Sequence, residues 1–316
     1  MSGTDPAISV PRVACIGEAM IELSMTGGAS ADIGYAGDTL NTAIYLKRAT
    51  SPSAAVSYVT VLGADPFSAR MRGIIEAEGI DTHYIGTSPH RLPGIYAISI
   101  SDGGERSFHY WRENSAARTL FQPGSGTALE LLDEFDVVYF SGITLAILPP
   151  QTRADFLDYL TNWRRHAGRR VAFDSNYRPR LWTGVDEARE WIGRAWKIAD
   201  IALPSIDDEL ALFGNAGEAE VIARIGGAAH GIGALKRGAL GPLPIGAAVE
   251  QVEYPAVSKV VDTTAAGDSF NGGFIGALLR GKSIERAMAD GHAYAATVIG
   301  HRGAIIPAAE MPVFKP

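Results

Sequence analysis

The chain has 316 residues, 47% of them hydrophobic and 20% charged, with 28 Lys and Arg against 35 Asp and Glu for a net charge of −7. Such a composition suits a globular protein with one large α/β domain and an addition, or two domains. The acidic balance argues against a nucleic-acid binder, which needs a basic face, and the single cysteine, Cys15, excludes an intramolecular disulfide.

In chain order, Met1 to Pro11 is polar and lacks the apolar centre of a signal peptide. No apolar run approaches the roughly 20 residues that cross a bilayer, so the expectation is a protein of the reducing cytoplasm with no membrane partner. Val13 to Gly17 is the first short apolar run, and Cys15 within it reads as a small core residue. Met20 to Ser24 and Ile33 to Tyr35 are strand-like and flank Gly27-Gly28. Val56 to Gly63 is a second buried run, and Phe67 to Glu78 reads as a helix stopped by Gly79. Gly94 to Ile100 and Arg106 to Trp111 read as a β-hairpin turned by Asp102-Gly103-Gly104. Further apolar runs follow at Val137 to Gly142, Val171 to Asp174 and Ile201 to Pro204. Asp186 to Ile198 places Ala188, Trp191, Ile192, Ala195 and Trp196 on one helical stripe. The basic cluster of Arg164, Arg165, His166, Arg169 and Arg170 falls at a helix end before Gly168, where positive charge complements the dipole.

Branched and aromatic runs without polar alternation are the mark of parallel strands buried on both faces. Alternating with helices, they predict an α/β fold with a mostly parallel, helix-flanked sheet. The paired strands near the N-terminus and the hairpin form a second, smaller sheet, either a lid or ordinary surface hairpins. No CxxC or HExxH spacing supports a built-in zinc site.

The most informative stretch is VVDTTAAGDSFNGGFIGALLRG, Val260 to Gly281. An extended run, Val257 to Val261, leads into a turn of small residues. A helix follows, with Phe270, Phe274, Ala277 and Leu278 at helical spacing and Gly281 as its stop. Ala265, Ala266 and Gly267 therefore lie at a helix N-terminus, where free N–H groups and the dipole favour an anion. Asp268 sits in the first turn. It is either a base that accepts the proton of an attacking hydroxyl or a plain stabiliser of the helix start. Gly276 to Ser283 matches the pattern GxxxxGK[ST], but its middle residues continue the helix and no strand precedes it. A phosphate-binding loop needs strand–loop–helix context, so this match reads as fortuitous.

DTTAAGDSFNGGF resembles the C-terminal signature of the ribokinase-like, or PfkB, carbohydrate kinases. Gly17-Glu18 and the segment GYAGDTLN, Gly34 to Asn41, resemble the family's sugar-binding segment. RLPGIYAI, GERSFHYWREN, SGITLAIL, FDSNYRPRLW and HRGAIIP are similar to the branch of that family acting on 2-keto-3-deoxygluconate. The similarity runs from about Ala14 to Pro312. It implies a single ribokinase-like kinase over 1–316, with a Rossmann-like core from about 12–18, 37–91 and 115–316 and a lid from about 19–36 and 92–114. It also implies transfer of phosphate from ATP to a sugar-acid hydroxyl.

The resemblance implies roles residue by residue. Asp268 matches the base, and Ala265, Ala266 and Gly267 match the anion hole. Gly37, Asp38 and Asn41 match sugar contacts, and Tyr96 and Tyr110 match lid residues that touch the sugar. Arg112 and Arg178 match cations for the substrate carboxylate, with Arg178 also reaching ATP phosphates; guanidinium suits both anions. Asn176, Lys236, Arg237 and Gly238 match the nucleotide side together with Ala265 and Gly267, and Ala293 and Ala296 flank the adenine. Mg²⁺ is expected through ATP oxygens and water, with Glu209 reaching it through water. Three departures stand out: Ile206 where the family's NxxE motif has Asn, Ala265 where the signature has Gly, and the proline-rich Gly241-Pro242-Leu243-Pro244. Another sugar or sugar-acid kinase of the family, such as a fructokinase or 2-ketogluconate kinase, and a non-catalytic sensor on the same fold remain as alternatives. Lid sheets in such kinases can pair between subunits, which leaves a homo-oligomer open.

Overall fold

The computed structural model describes residues 10–27, 30–100, 106–214, 217–228, 231–249, 252–255, 257 and 259–314. The hairpin turn at Asp102-Gly103-Gly104 and Gly28 lie outside the described residues. The first half holds β1 (Arg12–Ile16), β2 (Met20–Gly27), β3 (Ser30–Ala36), α1 (Asp38–Thr50), β4 (Ala55–Gly63), α2 (Pro66–Ala77), β5 (Ile85–Ser88), β6 (Gly94–Ile100), β7 (Arg106–Trp111), β8 (Val137–Ser141), α3 (Gly142–Ile147) and α4 (Pro150–Trp163). The second half holds β9 (Arg170–Asp174), α5 (Val185–Trp196), β10 (Ile201–Ala202), α6 (Ile206–Phe213), α7 (Glu218–Ala228), β11 (Ile232–Leu235), β12 (Leu243–Ile245), α8 (Ala266–Leu279) and α9 (Ile284–Val298).

Eight strands form one sheet in the order β12-β11-β10-β9-β8-β1-β4-β5. All its pairings are parallel except β11 with β12. Both faces are covered, which is why the strand sequences run apolar without alternation. Ile16, Val61, Phe140 and Phe173 enter one core, while Val13, Cys15, Tyr58 and Tyr139 enter the other. Cys15 is fully buried, as expected of a small core residue.

The second sheet has the order β3-β2-β6-β7. It leaves the core directly after β1 and returns through β7, so two separate chain segments build it. Its β2–β6 pairing is parallel and the two outer pairings are antiparallel. The expected strand over Val257 to Val261 is absent among the described residues of that segment. Val260 and Val261 are exposed there, and Val261 and Asp262 instead donate to the Ile299 carbonyl at the end of α9. The GxxxxGK[ST] match is a helix end: Gly276 lies inside α8, Gly281 has φ 72°, and Ser283 caps α9 through the Arg286 N–H. No helix among the described residues is long and apolar enough to cross a membrane.

Packing around α8 positions the site. This helix is wedged between α1 and α9 with almost no side-chain spacing on either side. A Cβ at Gly272 would meet the Leu46 backbone nitrogen and Tyr45 Cβ at 2.7 Å, and one at Gly276 would meet Ala49 Cβ at 2.7 Å. On the other side, a Cβ at Gly273 would fall 3.0 Å from the Asp290 carbonyl oxygen. Helix propensity alone makes Gly272→Ala favourable by about 1 kcal/mol. Contact with the α1 backbone predicts the opposite sign, a destabilisation of about 1–3 kcal/mol. Chemical denaturation decides: a higher midpoint for Gly272→Ala would show that the close approach does not constrain α8.

Candidate active site

The N-termini of α1 and α8 meet at the carboxyl ends of β1, β8 and β9, the usual place for a crevice in a parallel sheet. Gly37 precedes α1 and lies against Glu18, whose carbonyl oxygen would be 2.2 Å from a Cβ at that position. Only glycine lets the start of α1 lie this close to the end of β1. Asp38 follows in the first turn, where a carboxylate is favoured by the helix dipole. Its Oδ2 accepts from Asn176 Nδ2 at 2.9 Å and from the Ser141 hydroxyl. One turn on, Asn41 Nδ2 donates to Asp268 Oδ2 at 2.8 Å, and its own Oδ1 accepts from the Gly37 N–H at 3.4 Å.

Ala265 caps α8 with φ 59° and ψ 15°, the left-handed conformation. That geometry explains why glycine is usual at this place in the signature, and alanine there costs about 1–2 kcal/mol. The Ala266 N–H turns back to the Thr263 carbonyl at 3.2 Å. Ala265, Gly267 and Asp268 N–H have no acceptor among the described residues, so these groups are the free donors of the helix start, whereas Ala266 is taken up in the turn. A Cβ at Gly267 would lie 3.5 Å from Lys236 Nζ, which places an ammonium beside the same helix start.

Lys236 follows β11 and binds Asp174 Oδ2 at 2.5 Å and Asn271 Oδ1 at 3.1 Å. Asn271 Nδ2 donates in turn to Asp174 Oδ2 at 2.7 Å and to the Tyr139 hydroxyl at 3.1 Å. Neither Asp174 nor Asn271 was singled out from sequence. Two signals pointed to them: Asp174 ends a strand at the carboxyl edge of the sheet, and Asn271 lies three residues after Asp268 on one helix face. Burial and the neighbouring Asp38 raise the Asp268 carboxyl to about 8, with Asp174 adding to the rise and Asn41 and Lys236 opposing it.

The other expected residues divide by location. Tyr96 is buried, its hydroxyl donating to Glu22, which also accepts from Ser24 Oγ at 3.1 Å. Tyr110 is 43% exposed, its ring 5.9 Å from that of Tyr96 on the same face of the small sheet. Arg112 is buried and ion-paired with Glu18. Its Nε and Glu18 Oε1 are both buried without a partner among the described residues. Arg178 stays half exposed, donating through Nη1 to the Tyr177 carbonyl at 2.9 Å and to Asp208 at 3.3 Å. Burial raises Asp208 to about 6, Arg178 lowering it and Asp174 raising it.

Asn176, with φ 29°, links this loop to Asp38. Arg237 turns away from the crevice: it bonds the Gly241 and Leu240 carbonyls and Glu218, and so ties the Gly238 to Gly241 loop together. Ala293 and Ala296 lie on α9. Glu209 is fully buried with Oε2 accepting from Arg224 at 2.6 Å, so its charge already has a counter-ion. Among the described residues no group of three or more His, Cys, Asp or Glu side chains is placed to hold a metal.

A carboxyl with raised proton affinity, free backbone N–H groups and an ammonium at one helix start form a constellation for moving a phosphoryl group onto a hydroxyl. The sequence profile of the pfkB family of carbohydrate kinases matches residues 10–311. The chain belongs to the PfkB carbohydrate kinase family. Among its curated relatives, 2-dehydro-3-deoxygluconokinase from Escherichia coli is 44% identical over 307 residues, covering 95% of this chain and 99% of that one. The enzyme of the same name from Dickeya dadantii is 44% identical over 311 residues, covering 96% and 100%. Among solved structures, aminoimidazole riboside kinase from Salmonella enterica, complexed with aminoimidazole riboside and an ATP analogue, aligns with TM-score 0.75 and 25% identity over 93% of this chain and 95% of its own. The eight-stranded sheet with its four-stranded companion is thus a ribokinase-like fold.

The raised Asp268 carboxyl carries a stability signature. The folded state holds its proton up to about 8, whereas an unfolded Asp releases it near 4, so wild-type stability falls as pH rises through that window. Asp268→Asn removes this penalty. Its thermal midpoint is expected to exceed that of wild type at pH 8, with the gap closing by about pH 4. A lower midpoint at pH 8 would mark Asp268 as a mere stabiliser of the α8 start.

Proposed function

We propose that this chain is an ATP-dependent kinase of 2-keto-3-deoxygluconate, the 2-dehydro-3-deoxygluconate of its relatives' name. The 6-hydroxyl oxygen attacks the γ-phosphorus of ATP as Asp268 takes the hydroxyl proton. The bond from the γ-phosphorus to the β–γ bridging oxygen breaks, and ADP and 2-keto-3-deoxy-6-phosphogluconate leave. The observation that carries this reading is the raised Asp268 carboxyl beside the free Gly267 and Asp268 N–H groups. A base with proton affinity near the working pH is the most effective kind. The free N–H groups and Lys236 supply fixed positive potential where the transferred group carries its charge.

In this reading Gly37, Asp38 and Asn41 line the sugar end, Asn176 joins it to the nucleotide side through its bond to Asp38, and the β3-β2-β6-β7 sheet covers it as a lid bearing Tyr96 and Tyr110. Arg178, with half its side chain exposed, is the cation available to an anionic group. The carboxylates near the helix start are already matched, Asp174 by Lys236 and Asn271 and Glu209 by Arg224. Mg²⁺ therefore belongs to this site as a partner of ATP oxygens and water, where it neutralises phosphate charge. The site of action in this reading is the cytoplasm. One observation favours a neutral sugar instead: Glu18 already neutralises the charge of the arginine expected to meet the acid.

The deciding assay measures ADP release with Mg²⁺ and 2-keto-3-deoxygluconate, 2-ketogluconate, fructose or ribose. The 2-keto acids should stimulate turnover, and Asp268→Asn should lower kcat/KM by about 10²–10⁴-fold. Wild-type kcat/KM should rise with pH through about 8, where the free enzyme's base is half ionised, and level off above it. Preference for fructose or ribose would retain the kinase and overturn the acid; stimulation by no sugar would overturn the kinase.

A further inference from the structure

Arg178 stands just before the 3-10 turn at Pro179–Leu181, two residues after Asn176, which itself touches Asp38. A half-exposed arginine normally samples many rotamers, and fixing it costs side-chain entropy. Here one nitrogen is fastened twice: Nη1 donates to the Tyr177 carbonyl at 2.9 Å and to Asp208 Oδ1 at 3.3 Å. The guanidinium is planar with five donors in a fixed fork. Anchoring Nη1 therefore sets the direction of the remaining edge, and Nε and Nη2 have no partner among the described residues.

Asp208 projects from the first turn of α6, within electrostatic reach of Asp174 and Lys236 on the phosphoryl side of the crevice. A carboxylate placed near Asp174 is unfavourable by itself, and Arg178 is its direct ion-pair partner. Tether and arginine thus adjoin the Asn176–Asp38 contact in the chain and feel the charges of Asp174 and Lys236.

We propose that Asp208 is a positioning residue: it holds Arg178 by one edge so that the Nε–Nη2 edge stays aimed into the crevice to receive an oxyanion of the reacting complex. The inference rests on the kinase reading for the oxyanion, but not for the tether. Asp208 touches neither substrate nor reacting atoms and acts only through Arg178.

The test is a double-mutant cycle on the full chain. Arg178→Ala and Asp208→Asn should each lower kcat/KM for the best sugar acid, Asp208→Asn by about 10–100-fold as expected for a misplaced contact. The double variant should be no slower than Arg178→Ala alone, and Asp208→Glu should recover part of the loss. Multiplying losses, or an Asp208→Asn enzyme equal to wild type, would overturn the proposal. Nitrogen NMR of the arginine side chains gives a readout independent of turnover. A held Arg178 shows separate, slowly exchanging Nη signals in wild type that merge with those of free arginines in Asp208→Asn. Identical spectra would overturn the tether even if no sugar were a substrate.

Discussion

The hydrogen bond from Asn41 to Asp268 joins the first turns of two helices that lie 227 positions apart in the chain, and the site exists only because those turns coincide. Their coincidence is a packing constraint before it is a chemical one. Gly272 and Gly276 let α8 lie directly on α1, and Gly273 lets α9 close on the other side. Each glycine weakens an isolated helix by about 1 kcal/mol. In the folded protein the same absence of side chains brings three backbones together and fixes where α8 begins. The residues that make α8 a poor helix on its own are those that put its carboxylate within reach of α1.

Four aspartates, Asp38, Asp174, Asp208 and Asp268, then share one crevice with two cations, Lys236 and Arg178. They are the same residue type, and their partners make them different. Asp174 has an ammonium and an amide, Asp208 has a guanidinium, and Asp38 has an amide and a hydroxyl. Asp268 has a single neutral donor from Asn41, and desolvation and the Asp38 charge both act against its ionisation. Its proton affinity therefore rises to about 8, which suits a group that must take a proton near neutrality. Asp268 is distinguished from its neighbours by what it lacks.

What the sequence made legible follows the range of the interactions involved. The buried strands, the helix after the small-residue turn and the hairpin are local patterns of period and punctuation, and they appear within a residue or two at β1, β4, β6, β7, β8, β9 and α8. Val257 to Val261 was misjudged because branched residues suit a strand only where a neighbour offers its edge, and here Val261 turns to Ile299 instead. The fortuitous GxxxxGK[ST] match was recognisable because its context was local as well. Ion-pair partners were not legible. Nothing in sequence spacing joins Arg112 to Glu18, Glu209 to Arg224 or Lys236 to Asp174, and those pairs decide which charged groups remain free. Asp174 escaped notice for the same reason: its significance comes from Lys236, which lies 62 positions away.

That distinction bears on the two arginines expected to meet an acidic substrate. Sequence treats Arg112 and Arg178 alike, whereas the fold gives them opposite starting conditions. Glu18 follows β1 in the core, and Arg112 follows β7 in the small sheet, so their ion pair spans the two layers and fastens one to the other. Separating a buried pair leaves an uncompensated charge and costs about 3–5 kcal/mol. Displacement of the small sheet from the core must stretch this contact, and an incoming carboxylate must compete with Glu18 for the same guanidinium. Arg178 faces no such competition at its free edge. An acid can gain from Arg112 only to the extent that Glu18 releases it, so the fastening of the small sheet and any preference for an acid over a neutral sugar at that arginine are set by one balance of charge.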